Sequence, residues 1–192
     1  MKLHSVTFVF LLTFAATVSA APMTYVVDSD HAHPEFEADH FGGLSVWRGI
    51  FKKTSGTIVM DKTVGTGSVD VTVDMKSATV GQDKVDKVMA SPELFDAAKY
   101  PTAHYVGTLA GFVDGAPTTV TGTLTLHGVT KQVDLKILSF KCMPHPLYKR
   151  EVCGADAYAV IKRDDFGIDS GKNYGFKMDV TLRIQVEAIA EK

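Results

Sequence analysis

Cysteine is scarce: the 192 residues contain two, Cys142 and Cys153, 11 positions apart. CxxC spacing is absent, and two thiolates alone make half a zinc site, so thiol redox chemistry or metal binding has little to build on. In an exported chain this spacing suits a local disulfide, worth about 3 kcal/mol for so short a loop, provided the Cα atoms lie within about 7 Å. A Gly-x-Ser-x-Gly elbow is missing, and neither cysteine stands as a lone catalytic thiol, which leaves nucleophilic catalysis without residues. Asp164-Asp165 and Asp83/Asp86 are neighbours along the chain rather than partners across a cleft, and read as turn and cap residues. Gly42-Gly43 and Gly65-x-Gly67 precede no helix at the required spacing, so they read as turns or bulges and not phosphate cradles. An excess of one charge is lacking too. The 20 basic and 22 acidic residues intermix for a net −2, with no Lys/Arg block to bind nucleic acid. After residue 20 no apolar run approaches the roughly 20 residues that a bilayer-crossing helix needs.

The first residues read as an address rather than as structure. Lys2 and His4 precede an apolar run over residues 6–18, and Val18-Ser19-Ala20 supplies small residues for cleavage. That predicts a secretory signal peptide over residues 1–20, an uncleaved anchor helix being the alternative. No cysteine stands at the cleavage point, which argues against a lipoprotein. The expected location is the periplasm, and residues 21–192 suit one domain.

What is present is alternation. Val120, Gly122, Leu124 and Leu126 alternate with Thr121, Thr123, Thr125 and His127, and the pattern resumes at Val133, Leu135 and Ile137 after a Gly-containing break. A period of two with one apolar face predicts two strands and a short turn. Val69, Val71, Val73 and Met75 repeat the pattern, as do Phe176, Met178, Val180, Leu182, Ile184 and Val186. Further strands are expected near residues 25–27, 35–41, 46–51, 57–60, 104–109 and 155–161, for nine or ten in all, linked by short turns as in an antiparallel sheet. Residues 84–98 differ. Val85, Val88 and Met89 have helical spacing, and Ser91-Pro92-Glu93 reads as an N-cap with Pro at the first helical position, so one or two short helices are expected. The fold class is therefore mainly β. Such a sheet must stack or close on itself to hide its edges, and alternation does not distinguish a packed sandwich from a hollow barrel.

The densest polar stretch holds Asp28, Asp30, His31, His33, Glu35, Glu37, Asp39 and His40. As a strand it would set His31 and His33 side by side, so a metal-binding or redox-related protein using His31, His33 and His40 is one reading; a solvated strand face is the other. Hydrophobic residues form 45% of the chain, with 11 Phe, 6 Tyr and 7 Met, which composition alone assigns to a filled core.

In order along the chain stand Tyr25-x-x-Asp28, His31-Ala32, Phe36, His40, Gly49-x-Phe51, Gly56, Asp61, Ser91, Phe95 and Lys99-Tyr100-Pro101-Thr102. The longest block, Val120-x-Gly122-x-Leu124-Thr125-Leu126-x-Gly128-Val129-Thr130-Lys131-x-Val133, and then Arg163-Asp164-Asp165-Phe166-Gly167-Ile168 complete the set. With these residues the chain resembles the YceI family of exported polyisoprenoid-binding proteins, over essentially its whole mature length. The resemblance implies an extended, lipocalin-like antiparallel β-barrel with a helix beside it. It also implies an apolar cavity for a long isoprenoid tail, polyprenyl or quinone-type, and a role in transport, storage or stress protection. No enzyme activity and no cofactor are implied. Contact with a membrane or a membrane quinone protein is an expected partnership, and the oligomeric state is left open. The candidate lining is Phe36, Phe41, Phe51, Val69, Val71, Val73, Leu94, Phe95, Tyr105, Leu124, Leu126, Val133, Leu135, Ile137, Tyr158, Phe166, Met178, Val180, Leu182 and Ile184. Three departures stand out: a one-residue insertion at Gly42-Gly43, Val85-Asp86 where the family has Arg-Asp, and Pro34 in place of an apolar strand residue. The segment between the cysteines, with Pro144 and Pro146, is expected to form a pinned loop at the cavity rim.

Overall fold

The structure, a computed structural model, describes residues 21–192; the expected signal segment lies outside the described residues. Among them, twelve strands and one α-helix follow in chain order. They are β1 (Met23–Val27), β2 (Glu35–His40), β3 (Ser45–Phe51), β4 (Thr54–Asp61), β5 (Thr66–Asp74), β6 (Ala78–Thr79), α1 (Asp83–Ala90), β7 (Thr102–Ala110), β8 (Thr119–Leu126), β9 (Val129–Gln132), β10 (Leu135–Pro144), β11 (Glu151–Lys162) and β12 (Asp179–Ala190). Each strand expected from alternation is there, and the two extra ones, β6 and β9, are short.

All pairings are antiparallel. Eight strands run β1-β4-β5-β7-β8-β10-β11-β12, and β12 returns to β1 through Tyr25↔Ala190, Val26↔Ile189 and Val27↔Ala188. The sheet therefore closes into a barrel rather than stacking as a sandwich. β12 has a second partner on the same edge: Val180 to Arg183 pair with β2, and β2 carries β3 and then β6. The wall is thus closed by β1 at one end of β12 and extended by the β2–β3 hairpin at the other.

α1 lies beside that extension. Asp86 ties it to β6, its carboxylate accepting from the Thr79 hydroxyl (2.6 Å) and the Val80 amide (2.9 Å). The aspartate that lacks an arginine neighbour in sequence therefore has a different anchor. Ser91 does not start a second helix. It is the C-cap of α1, its amide and hydroxyl both donating to the Val88 carbonyl, and residues 92–99 are turns. Pro92 disfavours the helical conformation at Ser91 and cannot itself continue the ladder.

The β8–β9 connection is a two-residue turn with His127 (φ 52°) and Gly128 (φ 76°) both left-handed, the geometry that matches the twist of a hairpin. The returning strand is interrupted at Val133-Asp134 before β10 resumes against β8. Tyr105 bridges the interruption, its hydroxyl donating to the Val133 carbonyl at 2.8 Å. The ring has room only because Gly122 lies beneath it: a Cβ there would sit 2.5 Å from the Val106 carbonyl and 2.7 Å from the Tyr105 hydroxyl.

Cys142 and Cys153 are direct cross-strand partners on β10 and β11 and form a disulfide, with Cα atoms 4.0 Å apart. The bridge joins two paired strands rather than pinning a loop, because the register sets the residues opposite each other; residues 145–150 turn beyond it.

Two stability measurements test this framework. Gly122→Ala is expected to lower unfolding free energy by roughly 1–3 kcal/mol, the usual cost of overpacking, read as a lower urea midpoint at unchanged slope. Reducing the Cys142–Cys153 bridge is expected to cost about 2–3 kcal/mol in the same assay.

Candidate functional site

The inward faces of the barrel enclose an apolar cavity of about 660 Å³, within the roughly 300–1,000 Å³ usual for small-molecule sites. Sixteen of the twenty candidate residues line it: Phe36, Phe51, Val69, Val71, Val73, Leu94, Phe95, Tyr105, Leu124, Leu126, Val133, Leu135, Ile137, Val180, Leu182 and Ile184. Phe36, Phe51 and Phe95 form one aromatic group, with ring centroids 5.8–6.3 Å apart, where the barrel passes into the β2–β3 extension.

Four candidates lie elsewhere. Phe41 stands past the end of β2 in a left-handed turn (φ 50°) and is exposed. Tyr158 falls between Ala157 and Ala159, which take the inward face of β11, so alternation turns it outward. Phe166 is buried in a 3-10 turn (Arg163–Phe166) against the wall and not in the cavity. Met178 precedes the first paired residue of β12 and does not reach the cavity.

The cavity also takes residues that alternation did not single out: Trp47, Met60, Val85, Val88 and Met89 among them. The helical spacing of Val85, Val88 and Met89 was the available signal for α1 as a wall. Two buried polar residues stand within the apolar lining. Thr54 is buried with its hydroxyl unpartnered, and buried Arg163 donates to the carbonyls of Ile168 (2.9 Å) and Ser170 (2.6 Å), holding its loop.

One end is sealed. Tyr25, 1% exposed, donates to the Glu151 carboxylate, which also accepts two contacts from Lys62 Nζ at 2.7 and 2.8 Å. Burial, helped by the Glu151 contact, pushes the Tyr25 phenol well above its ordinary value. For Glu151, burial acts upward, but the Lys62 and Tyr25 contacts outweigh it and hold the carboxyl below its ordinary value.

The histidines do not form a metal site. Residues 28–34 are turns and bends, and β2 begins only at Glu35, just after Pro34, so the shared strand face of His31 and His33 does not exist. His31 Nδ1 pairs with Asp28 (2.9 Å) and His33 Nε2 lies on the Asp30 carbonyl (3.1 Å). His40 packs among Phe41, Trp47 and Phe176. Among the described residues, the group with three metal-ligating side chains is Cys142, Glu151 and Cys153, and its thiols are spent in the disulfide.

Comparison with known proteins places this geometry. The YceI-like domain matches residues 25–188. A UPF0312 protein of Pectobacterium atrosepticum is 33% identical over 193 residues, covering 99% of this chain and 97% of its own. Protein YceI of Salmonella agona is 31% identical over 195 residues, covering all of both chains. Among solved structures, the Campylobacter jejuni YCEI protein superposes with a TM-score of 0.65 at 27% identity, over 78% of this chain and 88% of that one. A polyisoprenoid binding domain from Saccharophagus degradans shares the fold, with a TM-score of 0.60 at 19% identity over 87% and 98% of the two chains.

The sealed end carries a pH signature at both limits. Glu151 has a folded pKa below its ordinary 4.5, so its contribution is present above that pH and is lost as pH falls through the lower folded value. Tyr25 has a folded pKa above its ordinary 10.0, so its contribution is present below pH 10.0 and is lost as pH rises through the folded value. Urea midpoints followed across pH are expected to show Glu151→Gln flattening the acid limb and Tyr25→Phe flattening the alkaline one.

Proposed function

The chain belongs to the YceI-like family, and from that premise we propose that it is an exported, non-catalytic protein that holds a long-chain isoprenoid lipid, polyprenyl or quinone-type, in its barrel. The observation that carries the proposal is the cavity: about 660 Å³ inside a closed sheet, walled by aliphatic and aromatic side chains. Each buried CH₂ of a ligand contributes about 0.8 kcal/mol, so a repeating hydrocarbon binds through length alone and needs no catalytic group. The polyisoprenoid-binding domain that shares the fold supports this choice of ligand class. Transport, storage or stress protection would each use such a reservoir, and delivery to a membrane quinone protein suits a quinone-type tail. Export to the periplasm is supported by the apolar leader over residues 1–20 and by a disulfide that oxidising compartments sustain.

Solvent extraction and native mass spectrometry of protein purified from its host are expected to yield a bound isoprenoid lipid. A chain that carries none and takes up none on loading refutes the reading. Ile184→Trp, which fills the cavity from β12, is expected to lower occupancy by roughly tenfold or more while the barrel still unfolds cooperatively.

A further inference from the structure

We propose that the end of the barrel bearing the β2–β3 hairpin is a membrane-docking face, which inserts apolar side chains into a phospholipid bilayer so that a lipid chain passes into the cavity without crossing water. The purpose of this face rests on the lipid-binding reading above; its test does not.

The cavity wall continues onto the outer surface here. The His40 ring packs against Phe41, Trp47 and Phe176 at 4.5–5.5 Å, and Phe41 meets Phe176 at 4.8 Å. His40, Trp47 and Phe176 line the cavity, while Phe41 is 53% exposed. Beyond it, Leu44 and Tyr174 are 76% and 77% exposed. Large apolar groups displayed together and continuous with a cavity mark a contact surface rather than scattered surface hydrophobics.

The face is built, not incidental. Phe41 holds a left-handed backbone (φ 50°), which a bulky side chain rarely adopts and which needs support from its surroundings. That support is Asp39, whose carboxylate accepts from the amides of Gly42 and Lys177, both at 2.9 Å, and so binds the hairpin turn to the loop carrying Phe176. Lys177 brings its Nζ to the hairpin turn, 3.8 Å from where a Cβ on Gly43 would sit, and exposed Lys84 lines the cavity from α1, so cations accompany the apolar groups as in interfacial segments that meet phospholipid head groups.

The opposite end also exposes Leu147 and Tyr148, but there Tyr25 and Met60 are nearly inaccessible and form the end wall, tied by the Tyr25–Glu151–Lys62 contacts. Apolar surface and cavity are continuous at the hairpin end and separated at the other. That asymmetry favours a bilayer at the mouth over a second copy of the chain, which would block the passage.

The test is flotation of the protein with vesicles of phosphatidylethanolamine and phosphatidylglycerol, comparing wild type with the Leu44→Asp/Tyr174→Asp double variant. Both positions are exposed and neither lines the cavity, so thermal unfolding and uptake of ubiquinone from detergent micelles are expected to match wild type. Vesicle binding is expected to fall at least about tenfold. Wild type that fails to float, a double variant that floats equally well, or a stable dimer abolished by the double variant would each overturn the docking face. Wild type that floats but takes up no ubiquinone leaves docking standing and counts against the lipid-binding reading instead.

Discussion

The structure depends on β12 having two partners on one edge. Eleven of its 12 residues, 179–189, pair with β11, leaving the other edge to be shared. Residues 188–190 take β1 and close the barrel; residues 180–183 take β2 and hold a hairpin that the ring does not include. A strand with one partner per edge would give either a uniform closed barrel or an open sheet. Sharing the edge gives a barrel shut at one end and extended at the other, with α1 and the Phe36–Phe51–Phe95 group filling the angle between ring and hairpin.

The cross-links follow the same division. Cys153 pairs with Ala188 on β12, level with the Val27↔Ala188 pair of the closing seam, so the disulfide lies at the shut end. The Tyr25–Glu151–Lys62 contacts stand beside it. At the other end the ties hold loops to their neighbours: Arg163 to the carbonyls of Ile168 and Ser170, Asp39 to the turn and loop amides, Asp86 to Thr79. The covalent cross-link thus fixes the end wall, while the mouth is held by hydrogen bonds, apolar packing and the Glu37–Arg48, Glu37–Arg183 and Asp164–Lys172 ion pairs.

Strand positions and inward faces were legible in the sequence because alternation is a local property, and a face that must be apolar repeats every second residue. The misreadings occur where backbone conformation, not side-chain type, decides. Phe41 continues the strand pattern but stands in a left-handed turn. His31 and His33 have strand spacing, but β2 begins only after Pro34. Ser91-Pro92 has the composition of a helix start, yet the helix before it claims the serine as its end. Tyr158 is apolar enough for a wall and has the wrong parity, since Ala157 and Ala159 face inward. Closure was not legible in the alternation, because pairing β1 with β12 joins residues at opposite ends of the chain and no local pattern encodes it; the family resemblance supplied the barrel. Nor was the cavity, since the same valines and leucines would fill a core had the sheet stacked on itself.

The smallness of the inward residues on β11 makes the hollow possible. Ala155 and Ala157 line the cavity opposite Val186 and Ile184 of the neighbouring strand, where larger side chains would take up the space. Water in such a space finds few hydrogen-bonding partners, with the unpaired Thr54 hydroxyl and Arg163 among the polar exceptions. Hydrocarbon is the occupant that costs least and gains most, and its binding would add to folding stability by linkage. A barrel wall kept thin on one strand therefore accords with the lipid-binding reading proposed above, since natural interiors rarely tolerate incomplete packing.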